Sequence, residues 1–130
     1  MKNKDVKTLI DSVDVPAAYW QFPKDTGQKP PFICYFYTGS NDVLADDSNY
    51  KHINSLAIEL YTNEKDFELE NKLETALNDA GLVWSREDTY IDSEKLFEAI
   101  YYTDVIIDDV SNIDDDQIDT DENPITNEGV

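Results

Sequence analysis

From Ile53 to Asp66 the chain reads INSLAIELYTNEKD, an alternating stretch that runs straight into the start of an amphipathic one. Within His52–Tyr61, Leu56, Ile58 and Leu60 share one face, and Ser55, Ala57, Glu59 and Tyr61 share the other. That is the period of a half-buried strand. Asn63 and Asp66 have the spacing of a helix cap followed by an acidic residue in the first turn. The helix then runs to about Ala80, with Leu69, Leu73, Ala76, Leu77 and Ala80 on one stripe. Gly81 is placed to end it in the left-handed conformation.

The elements around this unit follow from the same periodicities. Lys4–Val13 carries Val6, Leu9, Ile10 and Val13 on one helical stripe, stopped by Asp14 and Pro16. Ala17–Phe22 is aromatic-rich and reads as a short strand or an ordered loop, and the proline-bearing run Pro23–Pro31 as a connection. Pro31–Tyr37 has strand composition, with Phe32, Cys34 and Phe36 on one face and Ile33, Tyr35 and Tyr37 on the other. Both faces are apolar, so both should be covered: by helices on one side and a neighbouring subunit on the other. Thr38–Lys51 is polar and reads as a long loop. Leu82–Trp84 reads as a short strand with Ser85–Ile91 its polar extension, and Ser93–Ile107 as a long strand, although Ser93 could also cap a helix over Ser93–Ala99. The order helix, strand, strand, helix, strand, strand predicts an α+β two-layer sandwich. Its sheet is mainly antiparallel, of about four strands, with two helices on one face.

At 130 residues the chain is of single-domain size, and 40% apolar content supplies a core. Residues 1–107 form the expected domain. Residues 108–130 read as an acidic flexible tail, since Asp104–Val130 holds ten acidic residues and no Lys or Arg. The net charge of −19 makes direct nucleic-acid or anionic-lipid binding a poor expectation, while leaving mimicry of DNA open. No run approaches a membrane span, and the N-terminus lacks the apolar block of a secretory signal. The expectation is a soluble protein made in a reducing cytoplasm. Its single cysteine, Cys34, packs as a small hydrophobe.

Little chemistry is in view. The lone histidine, His52, cannot build a metal pair, no phosphate-cradling glycine pattern appears, and no nucleophile elbow is present. No catalytic, cofactor-binding or metal-binding residue is expected. Asp42, Asp46 and Asp47 could gather around calcium but lack the EF-hand spacing, so they read as a solvated loop. The tail run Asp114–Asp116, with Asp119 and Asp121, suits a docking segment for a basic partner better than a cation site. Aromatic residues point to contact surfaces instead, because Tyr and Trp combine apolar area with a polar tip. The candidate interface comprises Tyr19, Trp20, Tyr35, Tyr37 and Tyr61, joined by Asp42, Asp46 and Asp47 of the long loop.

Five segments carry a family resemblance: AAYWQFP (Ala17–Pro23), PPFICYFY (Pro30–Tyr37), ADDSNYKHI (Ala45–Ile53), IELYTNEKDFELENKLETAL (Ile58–Leu77) and TYIDSEKLFEAIYYTDVI (Thr89–Ile106). Over roughly Lys4–Ile107 the chain resembles tail-terminator (tail-completion) proteins of siphophages and prophages of Gram-positive bacteria. The resemblance implies a non-enzymatic protein that forms a hexameric ring on the head-proximal end of the tail tube and stops its polymerisation. It implies contact with the major tail protein and with the head-completion or connector protein. It places the protein in the virion at the head–tail junction, and in the host cytoplasm during assembly. No residue-level site transfers, because the pattern is structural. A ring needs two different matching patches per subunit, for which the doubly apolar strand Phe32–Tyr37 and the loop Thr38–Lys51 are candidates, and an acidic lumen would let DNA pass without sticking. Competing readings are another phage neck, connector or tail-assembly protein, an acidic DNA mimic that inhibits a nucleic-acid enzyme, and a small hydrolase.

Overall fold

Seven elements follow one another along the chain: α1 (Asn3–Asp11), β1 (Ala17–Tyr19), β2 (Phe32–Leu44), β3 (Tyr50–Thr62), α2 (Phe67–Asp79), β4 (Trp84–Ile91) and β5 (Leu96–Ile107). They come from a computed structural model that describes residues 1–22, 27–44 and 50–107, without the side chains of 41–44 and 50–52. The acidic segment 108–130 lies outside the described residues.

The sheet has five strands in the order β1-β2-β3-β5-β4. All neighbours are antiparallel except β1, which pairs parallel to β2 through Ala17↔Ile33, Ala18↔Cys34 and Tyr19↔Tyr35. The fold is α+β as expected, but the sheet is five-stranded and mixed rather than four-stranded. The extra strand comes from AAY at Ala17–Tyr19. A parallel partner needs a crossover, and the chain between Tyr19 and Phe32 is long enough to supply one. Trp20 starts that turn at φ 75.

The larger correction concerns the segment expected as the loop Thr38–Lys51. Much of it is strand: β2 continues to Leu44, β3 begins at Tyr50, and the two pair from Phe32↔Tyr61 to Leu44↔Tyr50. A register shift between Tyr37 and Gly39 interrupts the ladder. Polar composition misleads here because two strands can satisfy each other's backbone groups without burying a face, so alternation of hydrophobicity is not required. β3 sits at the centre, hydrogen-bonded to β2 on one side and to β5 on the other, the latter from His52↔Ile107 to Thr62↔Phe97. The residues before β5 form a turn rather than strand or helix, with Lys95 at φ 56.

Both helices pack on one face of the sheet. One core joins Val6, Ile10 and Val13 of the α1 region, Leu73 and Leu77 of α2, Ile33 and Tyr35 of β2, Leu56, Ile58 and Leu60 of β3, and Tyr101 and Val105 of β5. These are residues that periodicity places on one stripe or one row; which row the helices cover is set by the tertiary structure. Tyr37 ties the layers together at its rim, its hydroxyl donating to Asn3 Oδ1 at 2.8 Å.

The cap of α2 is Asp66, whose carboxylate accepts from the Leu69 amide at 3.0 Å; Asn63 stands outside the helix. At the other end Gly81, at φ 76, donates to the Asn78 carbonyl while the Leu82 amide reaches the Leu77 carbonyl at 3.0 Å. That bond pair closes the helix only if Gly81 is left-handed. A Cβ there would meet no atom within 4 Å, so any penalty is purely conformational. Gly81→Ala should therefore lower unfolding free energy by about 1 kcal/mol, measured by urea denaturation, with the fold unchanged.

Candidate interaction face

The sheet has a second face, and neither helix lies on it. Alternation turns Phe32, Cys34 and Phe36 of β2, Ala57, Glu59 and Tyr61 of β3, and Glu98, Ile100, Tyr102, Asp104 and Ile106 of β5 away from the core residues that alternate with them. Part of this face is covered by the chain leaving β1. Trp20 packs edge-on against Phe36 with ring centroids 4.9 Å apart, and Phe22 against Phe32 at 5.6 Å. Phe32 in turn stacks on Tyr61 at 4.9 Å and 28°. Beneath them Cys34 is buried, and desolvation, with Glu59 adding to it, pushes its thiol up to about 11. It is protonated at neutral pH and a poor nucleophile. The rest of the face is open: Trp20 is 59% exposed, Ile106 47% and Tyr102 41%.

Carboxylates lie in the middle of this apolar surface. Glu98 stands opposite Tyr61, and Glu59 opposite both Cys34 and Ile100. The Tyr61 hydroxyl donates to Glu59 Oε1 at 3.0 Å. Burial raises the Glu59 carboxyl above its ordinary range, the Tyr61 hydrogen bond opposes this, and Glu98 adds to the rise. Burial and the two carboxylates also push the Tyr61 phenol up. Tyr102 reaches Glu87 of β4 with a long contact of 3.4 Å, and Ser55 donates to Asp104 at 2.9 Å.

The helix side of the sheet handles its acids differently. Glu70, 3% exposed on α2, is held by Lys65 at 2.7 Å and by Arg86 of β4 at 3.3 Å, the latter through charge rather than a well-aimed hydrogen bond. Arg86 also binds Glu74 at 2.6 Å and Asp88 at 3.1 Å, and Glu74 accepts from the buried Tyr101 hydroxyl at 2.8 Å. Hydrogen bonding to Arg86 keeps the Asp88 carboxyl below its ordinary value. This cluster is a clamp between α2 and β4. Periodicity missed it because a lone Arg on an edge strand looks like a solvated charge.

The predicted interface residues divide. Trp20 and Tyr61 lie on the open face. Tyr19 sits at the sheet edge, 38% exposed, against the Tyr35 ring at 5.5 Å and the Tyr37 ring at 5.9 Å. Tyr35 is a correction: at 3% exposure it belongs to the core, because its row faces the helices. Tyr37 is half-buried and committed to α1, its hydroxyl pushed up by burial to about 12. Asp42 is placed on β2, with its side chain outside the description, and Asp46 and Asp47 lie outside the described residues. Glu59, Glu98, Ile100, Tyr102 and Ile106 were not singled out beforehand, although the alternation in β3 and β5 already places them together.

Among the described residues no group of three His, Cys, Asp or Glu side chains could hold a metal ion, and no helix is long and apolar enough to cross a membrane. An open depression of about 470 Å³ continues the exposed face at one end, between Thr38, Ser55, Ser85, Tyr102 and Asp104. No family model and no curated protein matches the chain. Among solved structures, a chain from the "virion of native gene transfer agent (GTA) particle" is similar at 12% identity and TM-score 0.46, over 75% of this chain and 84% of that one. A likeness at this level carries no functional argument.

Two variants probe the charges. Because the folded Glu59 carboxyl is raised, its contribution to stability is complete below the ordinary glutamate value of about 4.3 and is lost as pH rises through the folded value. Glu59→Gln keeps an acceptor for Tyr61, so its melting temperature should match the wild type at low pH and exceed it at pH 7. Equal melting curves at both pH values would contradict the burial argument. Arg86→Ala leaves Glu70 with Lys65 alone, so urea denaturation should show a loss somewhat below the roughly 3–5 kcal/mol of an abandoned buried charge.

Proposed function

We propose that this protein is a structural component of a phage particle, a tail terminator that caps the head-proximal end of the tail tube. In this reading it acts through contact surfaces and catalyses no reaction. It assembles with copies of itself into a ring, stops tube growth and presents the tail side of the head–tail junction. The observation that carries the reading is the open sheet face. A strongly acidic chain leaves aromatic and aliphatic side chains, among them Trp20, Tyr102 and Ile106, without a covering layer. Exposed apolar side chains grouped on one sheet face favour a contact surface. The tail assignment itself rests on the residue resemblance between Lys4 and Ile107. Where the sequence called for a neighbouring subunit on the second face of β2, Trp20 and Phe22 of the same chain cover much of it, so the area offered to a partner lies towards β5.

The experiment uses tail tubes assembled from purified major tail protein. Added protein should arrest elongation and appear by electron microscopy as a ring at one end of each tube. Replacing Trp20 by Ser should weaken this at least tenfold in effective concentration, with a modest fall in melting temperature from the lost Phe36 contact and the protein still folded. Tubes that elongate normally, with no protein at either end, would remove the tail-terminator reading.

A further inference from the structure

The two faces of the sheet treat negative charge in opposite ways. On the helix side the buried Glu70 is matched by Lys65 and Arg86 from the same chain. On the open side Glu59 and Glu98 sit among Phe32, Tyr61 and Ile100, and no Lys or Arg shares the face among the described side chains. Lys51 lies on the same strand eight residues away, about 26 Å at ordinary strand rise, out of reach of Glu59, and Lys24 lies outside the described residues. Among the described residues the groups acting on Glu59 are Tyr61 and Glu98, each hydrogen-bonded to it, and neither is a cation. A partly desolvated carboxylate pair on an apolar surface gains stability from a cation brought to it.

We propose that the open sheet face docks an arginine-bearing segment of a different protein, with Glu59 and Glu98 receiving the guanidinium and the Phe32–Tyr61 ring stack forming its apolar wall. A guanidinium fits better than an ammonium because it is planar, weakly hydrated and stacks on aromatic rings while binding carboxylates in bidentate fashion. A second copy is a poor source. Arg86 is the chain's only arginine, and it is already bound to Glu70, Glu74 and Asp88. Two copies meeting through this same face would oppose carboxylate to carboxylate. Nucleic acid is repelled for the same reason. The inference rests on the reading that the protein works by contact surfaces, and not on the tail assignment.

The test is a titration of the full-length ¹⁵N-labelled protein with acetylated tetra-arginine peptide at about 0.15 M salt, where exposed charges more than a Debye length apart are largely screened. Amide shifts should concentrate at Tyr61, Glu98 and Ile100, and tetra-lysine should bind more weakly. The double variant Glu59→Gln/Glu98→Gln should bind about tenfold more weakly. A control variant with the same charge change on exposed α2 positions, Glu68→Gln/Asp79→Asn, should bind as the wild type does. Equal weakening in both variants, or shifts confined to the acidic C-terminal segment, would show only a general acidic field and overturn the proposal. Light scattering adds a separate arm: if the wild type self-associates and Glu59→Gln/Glu98→Gln dissociates it, the face belongs to a second copy and the proposal fails. Binding of the peptide without any capping of tubes removes the tail reading and leaves this one standing. Capping without peptide binding does the reverse.

Discussion

The architecture depends on the position of β3. It is hydrogen-bonded along both edges, so its backbone is satisfied without water and its two rows of side chains are free to meet different environments. Leu56, Ile58 and Leu60 form the floor of the core on which α1 and α2 rest, and each is 2% exposed or less. Ala57, Glu59 and Tyr61 form the middle of the opposite face, which no helix reaches. A one-residue slip would exchange the two rows, placing Glu59 under the helices and Leu56, Ile58 and Leu60 in the open. The cost of that exchange fixes the register of β3 and, through it, the placement of its neighbours.

From this constraint the division of labour in the molecule follows. One face is a folding surface, where apolar residues are enclosed and acids are clamped by Lys65 and Arg86. The other is left open by the helices, its aromatic rings partly exposed and its acids without a cation among the described side chains. The aromatic strap through Trp20 and Phe22 covers Cys34 and stops short of β5. Chemistry at Cys34 is disfavoured by the same desolvation that raises its thiol.

Much of the fold was legible beforehand. The α2 stripe, its left-handed glycine and the two faces of β3 are all periodic, and periodicity survives folding because one row must be buried. Three features were not legible. The pairing of residues 39–44 with 50–55 has no hydrophobic alternation to announce it, since a polar hairpin is held by its backbone. Ala17–Phe22 reads as a short strand or an ordered loop, and the parallel pairing of the three-residue β1 with β2 has no period to announce it. The burial of Tyr35, as against the exposure of Trp20, depends on which row the helices cover.

The sequence alone determined the elements with a strong period, the single-domain size of the body, the strongly negative charge and the absence of any recognisable catalytic motif, because these are local or additive properties of the chain. Only the tertiary structure decided that both helices share one face, that Arg86 is spent on Glu70, Glu74 and Asp88, and that Glu59 and Glu98 meet between aromatic rings on the face left open. The reason is distance along the chain. Glu59 and Glu98 lie on strands separated in sequence by α2 and β4, and only the β3–β5 register brings them together.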